Sequence, residues 1–274
     1  MSLPDLIEII PLAGAVRAEV AVPGSKSITN RALVLAALGQ GRTTLHGALW
    51  SEDTQVMVEC LQALGFQVDV TPDPQETCNR VISVVGLGGN IPRGGTMEKP
   101  LELFVGNAGT AARFLSAMVC LGRGVCRLSG VPRMHERPQA SLFNALRELG
   151  YRIDSANGNL PALIHGGGPR PGKCRVSNAA STQFASALLL SAQAGAWEVQ
   201  VLDSGAEESP YVRLTTQLMR AFPTASGDFQ IEPDCSSGSY FWAAGTLEEA
   251  ESTLPAPRAF TIQEIGRASC RERV

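Results

Sequence analysis

Hydrophobic positions recur along the chain in one order, three times over. A Gly-containing turn leads to an Ala/Leu-rich apolar helix, a short alternating run, an amphipathic helix, and further alternating runs. The pattern predicts first helices over Lys26–Leu38, Thr110–Leu121 and Thr182–Ala194. Gly39 and Gly122 close the first two and suit a helix C-terminus that needs positive φ. Second helices are predicted over Glu52–Leu64, Pro138–Leu149 and Pro210–Phe222. Pro138 and Pro210 stand at helix starts, where proline's missing N–H costs nothing. Two of these helices end in matching strings, LQALGF at 61–66 and LRELGY at 146–151. Gln67–Val70 and Tyr151–Asp154 then alternate like half-buried strands.

First-helix starts at Lys26, Thr110 and Thr182 stand 84 and 72 residues apart. A solenoid repeat has a period of about 20–50 residues, so a stacked array is excluded. The reading is α/β: three pseudo-symmetric βαβαββ units inside one domain, from about Val22 to Glu232. The stretches Gly86–Gly95 and Gly166–Gly172 punctuate the copies, and neither has the strand–GxGxxG–helix context of a phosphate loop.

Composition narrows the function classes. With 274 residues, 44% hydrophobic and 18% charged, the chain is globular and long enough for one large or two ordinary domains. A net charge of -3 argues against a nucleic-acid or anionic-membrane surface. The apolar run Ala32–Leu38 is far too short for a bilayer span, and the start MSLPD has no signal-type block, so a cytoplasmic location is expected. Seven cysteines without a CxxC pair, and three histidines, make a Cys/His zinc site a poor fit; buried reduced thiols are expected.

The C-terminal stretch breaks the pattern. Asp234–Gly245 opens a further segment that stops in polar Glu248–Pro257, and Glu264–Val274 has no apolar period. One back-translation of that tail matches, apart from its first base, a widely used short-read sequencing adapter. The tail is therefore read as non-native and set aside. The expected organisation is 1–22 as first strands of an otherwise truncated second domain, and 23–232 as the complete three-repeat domain. The start of the truncated domain then covers 233–263, and the adapter-derived tail 264–274.

Four motifs carry chemistry. In PGSKSITNR (23–31) a Gly turn opens a helix carrying Lys26 and Ser27, with Arg31 one turn on. Helix N-termini present unpaired N–H groups and a positive dipole end, and Arg31 adds a bidentate fork for phosphate or carboxylate. A Ser-capped helix with two solvated cations is the plainer reading of the same residues. In LFVGNAGTAAR (103–113), Gly109 leaves the helix mouth without a side chain, so a ligand can approach the backbone. GVPRMHERP (130–138) crowds two arginines and a histidine into one loop, and STQF (181–184) opens the third repeat's first helix. Each could be ordinary capping chemistry. Their equivalent placement in three repeats instead predicts one anion-binding face.

PGSKSITNRAL, LFVGNAGTAARFL, SGVPRMHERP, STQFASALLL and IEPDCSSGSYFWAA, in that order over Ile7–Gly245, resemble the 5-enolpyruvylshikimate-3-phosphate synthase family. The resemblance implies an inverse α/β enolpyruvyl-transferase fold of two domains, each with three βαβαββ units. It also implies transfer of the enolpyruvyl group from phosphoenolpyruvate to shikimate 3-phosphate in aromatic amino-acid biosynthesis. No cofactor and no metal are implied, and a monomer without nucleic-acid or membrane partners is expected. By the same resemblance Lys26, Ser27 and Arg31 bind shikimate 3-phosphate, with Lys26 also facing phosphoenolpyruvate. Gly109 and Arg137 belong to the phosphoenolpyruvate side, Ser181, Thr182 and Gln183 to the shikimate phosphate and ring, and Asn107 is a further substrate-binding residue.

Three positions depart from the family pattern: Thr182 replaces a serine, Phe114 a proline, and at Glu208-Ser209 a phosphate-binding serine is displaced or replaced. The family's general base lies in the second domain, beyond the motifs present here. Two rival readings are an enolpyruvyl transferase acting on UDP-N-acetylglucosamine and a non-catalytic anion-binding domain. The first would carry Lys-Asn where this chain has Lys26-Ser27.

Overall fold

The computed structural model describes Glu8 and residues 18–202, 209–250 and 260–263 of the chain. The chain divides into two compact units, one over 24–232 and a smaller one from 1–23 together with 233–274. Strand β1 (Ala18–Ala21) precedes the larger unit. The first repeat follows as α1 (Lys26–Leu38), β2 (Gln40–Leu49), α2 (Glu52–Ala63), β3 (Val68–Pro72) and β4 (Asn79–Leu87). The second runs β5 (Leu101–Phe104), α3 (Gly109–Met118), β6 (Arg123–Ser129), the single turn α4 (Pro132–His135) and α5 (Ala140–Glu148). It closes with β7 (Arg152–Ser155) and β8 (Ala162–Gly167). The third is β9 (Gly172–Ser177), α6 (Gln183–Gly195), β10 (Trp197–Leu202), α7 (Pro210–Ala221) and β11 (Gly227–Gln230). In the smaller unit α8 (Cys235–Ala250) precedes β12 (Phe260–Gln263), which pairs parallel with β1.

Three sheets carry the larger unit, in the orders β11-β2-β4-β3, β5-β6-β8-β7 and β9-β10. In the first two, an antiparallel trio is joined at one side by a parallel strand: β5 beside β6, and β11 beside β2. The last strand of the third repeat thereby completes the sheet of the first. The third sheet has two strands among the described residues, so the three copies are not equal.

The first helix of each repeat is apolar over most of its surface, and such a helix is buried nearly all round. All ten residues of α3 are buried, as are most of α1 and α6, and these three helices touch one another at the centre. The second helices bury one stripe only; in α7 it is Val212, Thr215 and Leu218. Each sheet turns one face to the helices and carries surface ion pairs on the other, among them Arg42–Asp69, Arg127–Glu102 and Lys173–Glu198. Exposed pairs of this kind contribute about 0–1 kcal/mol each, so the core carries the stability. Cys60, Cys120, Cys126 and Cys174 are buried free thiols, and burial pushes Cys60 up to about 12.

Helix boundaries follow the hydrophobic period to within two or three residues, with two differences of chemistry. Pro138 lies outside α5, whose N-cap is Gln139; Pro132 and Pro210 take the first helical positions instead. Gly39 and Gly122 are not left-handed: φ is -68° and -81°. Their role is close approach. The Gly39 carbonyl accepts the Gly88 N–H at 2.7 Å, and the Gly122 carbonyl accepts the Gly168 N–H at 2.8 Å. A Cβ on Gly86 would lie 2.5 Å from the Gly39 oxygen, and one on Gly166 would lie 2.6 Å from the Gly122 oxygen. The positive φ belongs two residues later, to Gly41 (+86°) and Gly124 (+93°), which pair with Gly86 and Gly166 across the ladders.

Backbone oxygens cannot swing aside as side chains do, so Gly86→Ala and Gly166→Ala should each cost about 1–3 kcal/mol. Thermal unfolding should show each midpoint lowered by about 2–4 °C per kcal/mol. An unchanged midpoint for either would mean that the helix end and its strand are not held at this separation.

Candidate functional site

α1, α3, α6 and α7 begin at one end of the larger unit, and side chains tie those beginnings together. Gln183, the first residue of α6, donates its Nε2–H to Thr110 Oγ1 at the start of α3, 3.2 Å away. Arg31, in the second turn of α1, reaches Ser186 Oγ of α6 (3.2 Å) and Thr215 Oγ1 of α7 (2.8 Å). Arg137 donates to the Asn107 carbonyl at 2.9 Å, just before α3. A Cβ on Gly109 would fall between the Arg137 guanidinium and Arg113 Nη1, the latter 2.6 Å away. Of the nine residues singled out in the sequence, these contacts bring together Arg31, Asn107, Gly109, Arg137 and Gln183. Ser27 contributes its carbonyl to Arg31 Nη1 (2.9 Å), Ser181 Oγ accepts the Gln183 N–H (3.2 Å), and Thr182 is the N-cap of α6. Lys26 is directed elsewhere, to Asp53 in the first turn of α2, 3.6 Å away.

Two guanidinium groups are the buried charges of this end. Arg31 and Arg113 are each 2% exposed. Each donates Nη1–H to the carbonyl four residues back, Ser27 and Gly109 respectively. Each also lies against a phenylalanine of the next repeat's first helix: Arg31 5.3 Å from the Phe114 ring centre, Arg113 5.9 Å from that of Phe184. Burial lowers Arg31 to about 10, and burial with the nearby Arg137 charge lowers Arg113 to about 10. Both remain cations at neutral pH. Arg113 Nε is buried and has no hydrogen-bond partner among the described residues. Arg113 appears in the GNAGTAAR motif but was not among the expected ligands; aligning the first helices of repeats one and two would have flagged it opposite Arg31.

The charge placement runs against helix electrostatics. A helix N-terminus carries about half a positive charge and favours acidic side chains. The first turns of α1, α3, α6 and α7 contain none, whereas α2 has Glu52 and Asp53. Before α5, Arg133 in α4 is exposed and pairs with Glu136, while Arg137 is half-buried and its described bonds go to a carbonyl and the Met134 sulfur. Among the described residues, cations, helix N-termini and hydroxyls are collected here without a matching set of carboxylates, an arrangement whose chemistry suits an anion. Two open clefts lie elsewhere: one of about 530 Å³ over Asp154–Leu163, one of about 450 Å³ at the C-terminal ends of α1, α6 and α7. The charged groups of the first, Arg127 and Asp154, are already ion-paired. Among the described residues no group of three His, Cys, Asp or Glu is placed to hold a metal, and no helix is long and apolar enough to cross a membrane.

The fold is that of the enolpyruvyl transferases. It matches an EPSP synthase of Acinetobacter baumannii with a TM-score of 0.69 at 23% identity, over 86% of this chain and 54% of that one. It also matches the enolpyruvyl transferase NikO of Streptomyces tendae, with a TM-score of 0.53 at 14% identity over 85% of this chain. The chain belongs to the EPSP synthase (3-phosphoshikimate 1-carboxyvinyltransferase) family, whose model matches residues 12–225. Two relatives named 3-phosphoshikimate 1-carboxyvinyltransferase, from Trichormus variabilis and Serratia proteamaculans, are each 40% identical over 89% of this chain. The chain spans about 60% of their length.

Inorganic phosphate should therefore stabilise the larger unit. Binding at ten times the dissociation constant adds about 1.4 kcal/mol, worth roughly 2–4 °C per kcal/mol for a domain of this size. Thermal melts with and without phosphate should show that rise, shrinking with added sodium chloride and in Arg137→Ala. A phosphate-independent midpoint would remove the anion receptor.

Proposed function

We propose that this chain binds shikimate 3-phosphate and phosphoenolpyruvate, and contributes that site to enolpyruvyl transfer in aromatic amino-acid biosynthesis. The carrying observation is that Arg31, Arg113 and Arg137 lie at clustered helix starts with neutral oxygens and the Met134 sulfur as their described hydrogen-bond partners. Family membership supplies the chemical identity of the anions. In the reaction, the 5-hydroxyl oxygen of shikimate 3-phosphate gives up its proton and bonds to C2 of phosphoenolpyruvate, while the C2–C3 π bond breaks and its electrons take up a proton at the vinyl carbon. Phosphate then leaves with the C2–O bond electrons, and loss of a proton restores the vinyl group.

Residue roles follow from chemistry and position. Lys26, Ser27 and Arg31 at the start of α1, with Ser181, Thr182 and Gln183 at the start of α6, hold shikimate 3-phosphate. Asn107, Gly109 and Arg137 hold phosphoenolpyruvate, and Arg113 adds a fixed charge beneath them. Fixed cations of this kind also stabilise charge that develops in the transition state. The molecule acts as a monomer in the cytoplasm on these small substrates, and 1–22 with 233–263 belong to a second domain.

Gly109→Ala separates the two subsites. Its methyl group meets the guanidinium ends of Arg137 and Arg113; Arg113 is buried and held by two carbonyls, so the half-buried Arg137 is the one displaced. Titration calorimetry should show phosphoenolpyruvate binding weakened about tenfold or more, with shikimate 3-phosphate binding little changed. Equal loss of both would mean a folding defect. No binding of shikimate 3-phosphate by the parent chain would overturn the proposal. Phosphate release from the two substrates, by the chain alone and with the remaining family sequence supplied, tests the transfer itself.

A further inference from the structure

Arg31 is held by a set of oxygens whose hydrogens can be assigned. Thr215 Oγ1 lies 2.7 Å from the Tyr211 carbonyl, 2.8 Å from Arg31 Nε and 2.9 Å from Ser186 Oγ. A hydroxyl has one hydrogen and two acceptor sites. The Tyr211 carbonyl can only accept, so it takes the Thr215 hydrogen. Thr215 Oγ1 must then accept from Arg31 Nε and from Ser186, and Ser186 Oγ is left to accept from Arg31 Nη2 at 3.2 Å. All donors and acceptors of the cluster are consistent in one arrangement. Thr215 and Ser186 are wholly buried.

We infer that Thr215 and Ser186 are positioning residues: a neutral hydroxyl pair that fixes the plane of the Arg31 guanidinium while leaving its charge for a substrate anion. A carboxylate in their place would hold the guanidinium more tightly and cancel its charge. The pair uses Nε and one Nη2 hydrogen, and the Ser27 carbonyl uses one on Nη1, so two of the five N–H donors are not taken by these bonds. The Phe114 and Tyr211 rings, 5.3 and 5.8 Å from the guanidinium carbon, flank the group. Burial is also what lowers Arg31 without neutralising it at physiological pH. The inference rests on the reading that Arg31 serves a bound anion, and its test includes an arm independent of that reading.

The experiment compares the full chain with Thr215→Val, Thr215→Ser and Ser186→Ala. The first arm reads the Arg31 Nε–H cross-peak in ¹H–¹⁵N spectra, assigned by its loss in Arg31→Lys, with the Arg113 Nε–H peak as an internal check of fold. The parent should show a slowly exchanging Arg31 peak. Thr215→Val should lose that protection, Thr215→Ser should restore it, and Ser186→Ala should weaken it, all with the Arg113 peak in place. The second arm titrates shikimate 3-phosphate, and Thr215→Val should bind about 10- to 100-fold more weakly, with Thr215→Ser near the parent. If Thr215→Val does not fold, Ser186→Ala and Thr215→Ser decide. A Thr215→Val chain, or in its stead a Ser186→Ala chain, that keeps both the protected Arg31 peak and the parent affinity overturns the inference. A parent chain that binds no shikimate 3-phosphate counts against the functional reading, and the Nε–H arm still decides whether the hydroxyl pair orders Arg31.

Discussion

A guanidinium taken out of water and set near the start of a helix is opposed twice over. Desolvation costs several kcal/mol, and the helix N-terminus repels a cation. Arg31 and Arg113 both accept these penalties at the centre of the larger unit. What holds them are carbonyl and hydroxyl oxygens and aromatic faces. Hydrogen bonds to a charged group contribute about 1.5–3 kcal/mol each, and a desolvated cation–π contact about 2 kcal/mol. The contacts are enough to fix the groups without discharging them. Much else follows from that constraint: α3 is buried on every side, small residues open its first turn, and polar residues as deep as Ser186 and Thr215 find partners in the core.

The pseudo-symmetry explains how such a cluster forms from positions scattered over nearly two hundred residues. Each repeat places an apolar helix at the centre, and each central helix starts at the same end. An arginine one turn into the helix of one repeat therefore meets the aromatic residue of the next, Arg31 on Phe114 and Arg113 on Phe184. The third repeat breaks the series: α6 supplies Ser186, whose hydroxyl accepts from Arg31 Nη2. The glycine pairs 39/86 and 122/166 set the opposite ends of α1 and α3 against their own sheets, so the register of the starts is fixed from behind.

Much of this was legible in the chain. Period, capping and repeat order located the helices because apolar faces and turn residues act locally, and the four motifs fell at the helix starts for the same reason. The errors are also local in origin. A glycine after a helix is ambiguous between left-handed φ and close packing, and Gly39 and Gly122 took the second. Pro138 offered a helix start, yet Pro132 formed its own short turn first. Depth was not legible. Nothing in KSITNR distinguishes a solvated arginine from one 2% exposed, because its partners Ser186 and Thr215 lie 155 and 184 residues away. The cations read as one class divide in space into two.

That division has a physical logic. Lys26, with a side chain 45% exposed, rests on Asp53 at 3.6 Å in a pair that screening and side-chain entropy keep weak. An anionic ligand can replace such a carboxylate at little cost, and a flexible ammonium can follow it. A buried guanidinium has no such freedom. Had Arg31 been paired with an acid at its depth, removing that pair for a substrate would have left an uncompensated buried carboxylate, a penalty of several kcal/mol. Neutral partners avoid the exchange, because hydroxyls would keep their bonds to the guanidinium while its charge stayed available to a ligand. Among the described residues the unit thus keeps a replaceable carboxylate beside Lys26 and none as a partner of the buried guanidinium groups. On the proposed reading, an arriving anion restores the stability given up by burying these charges.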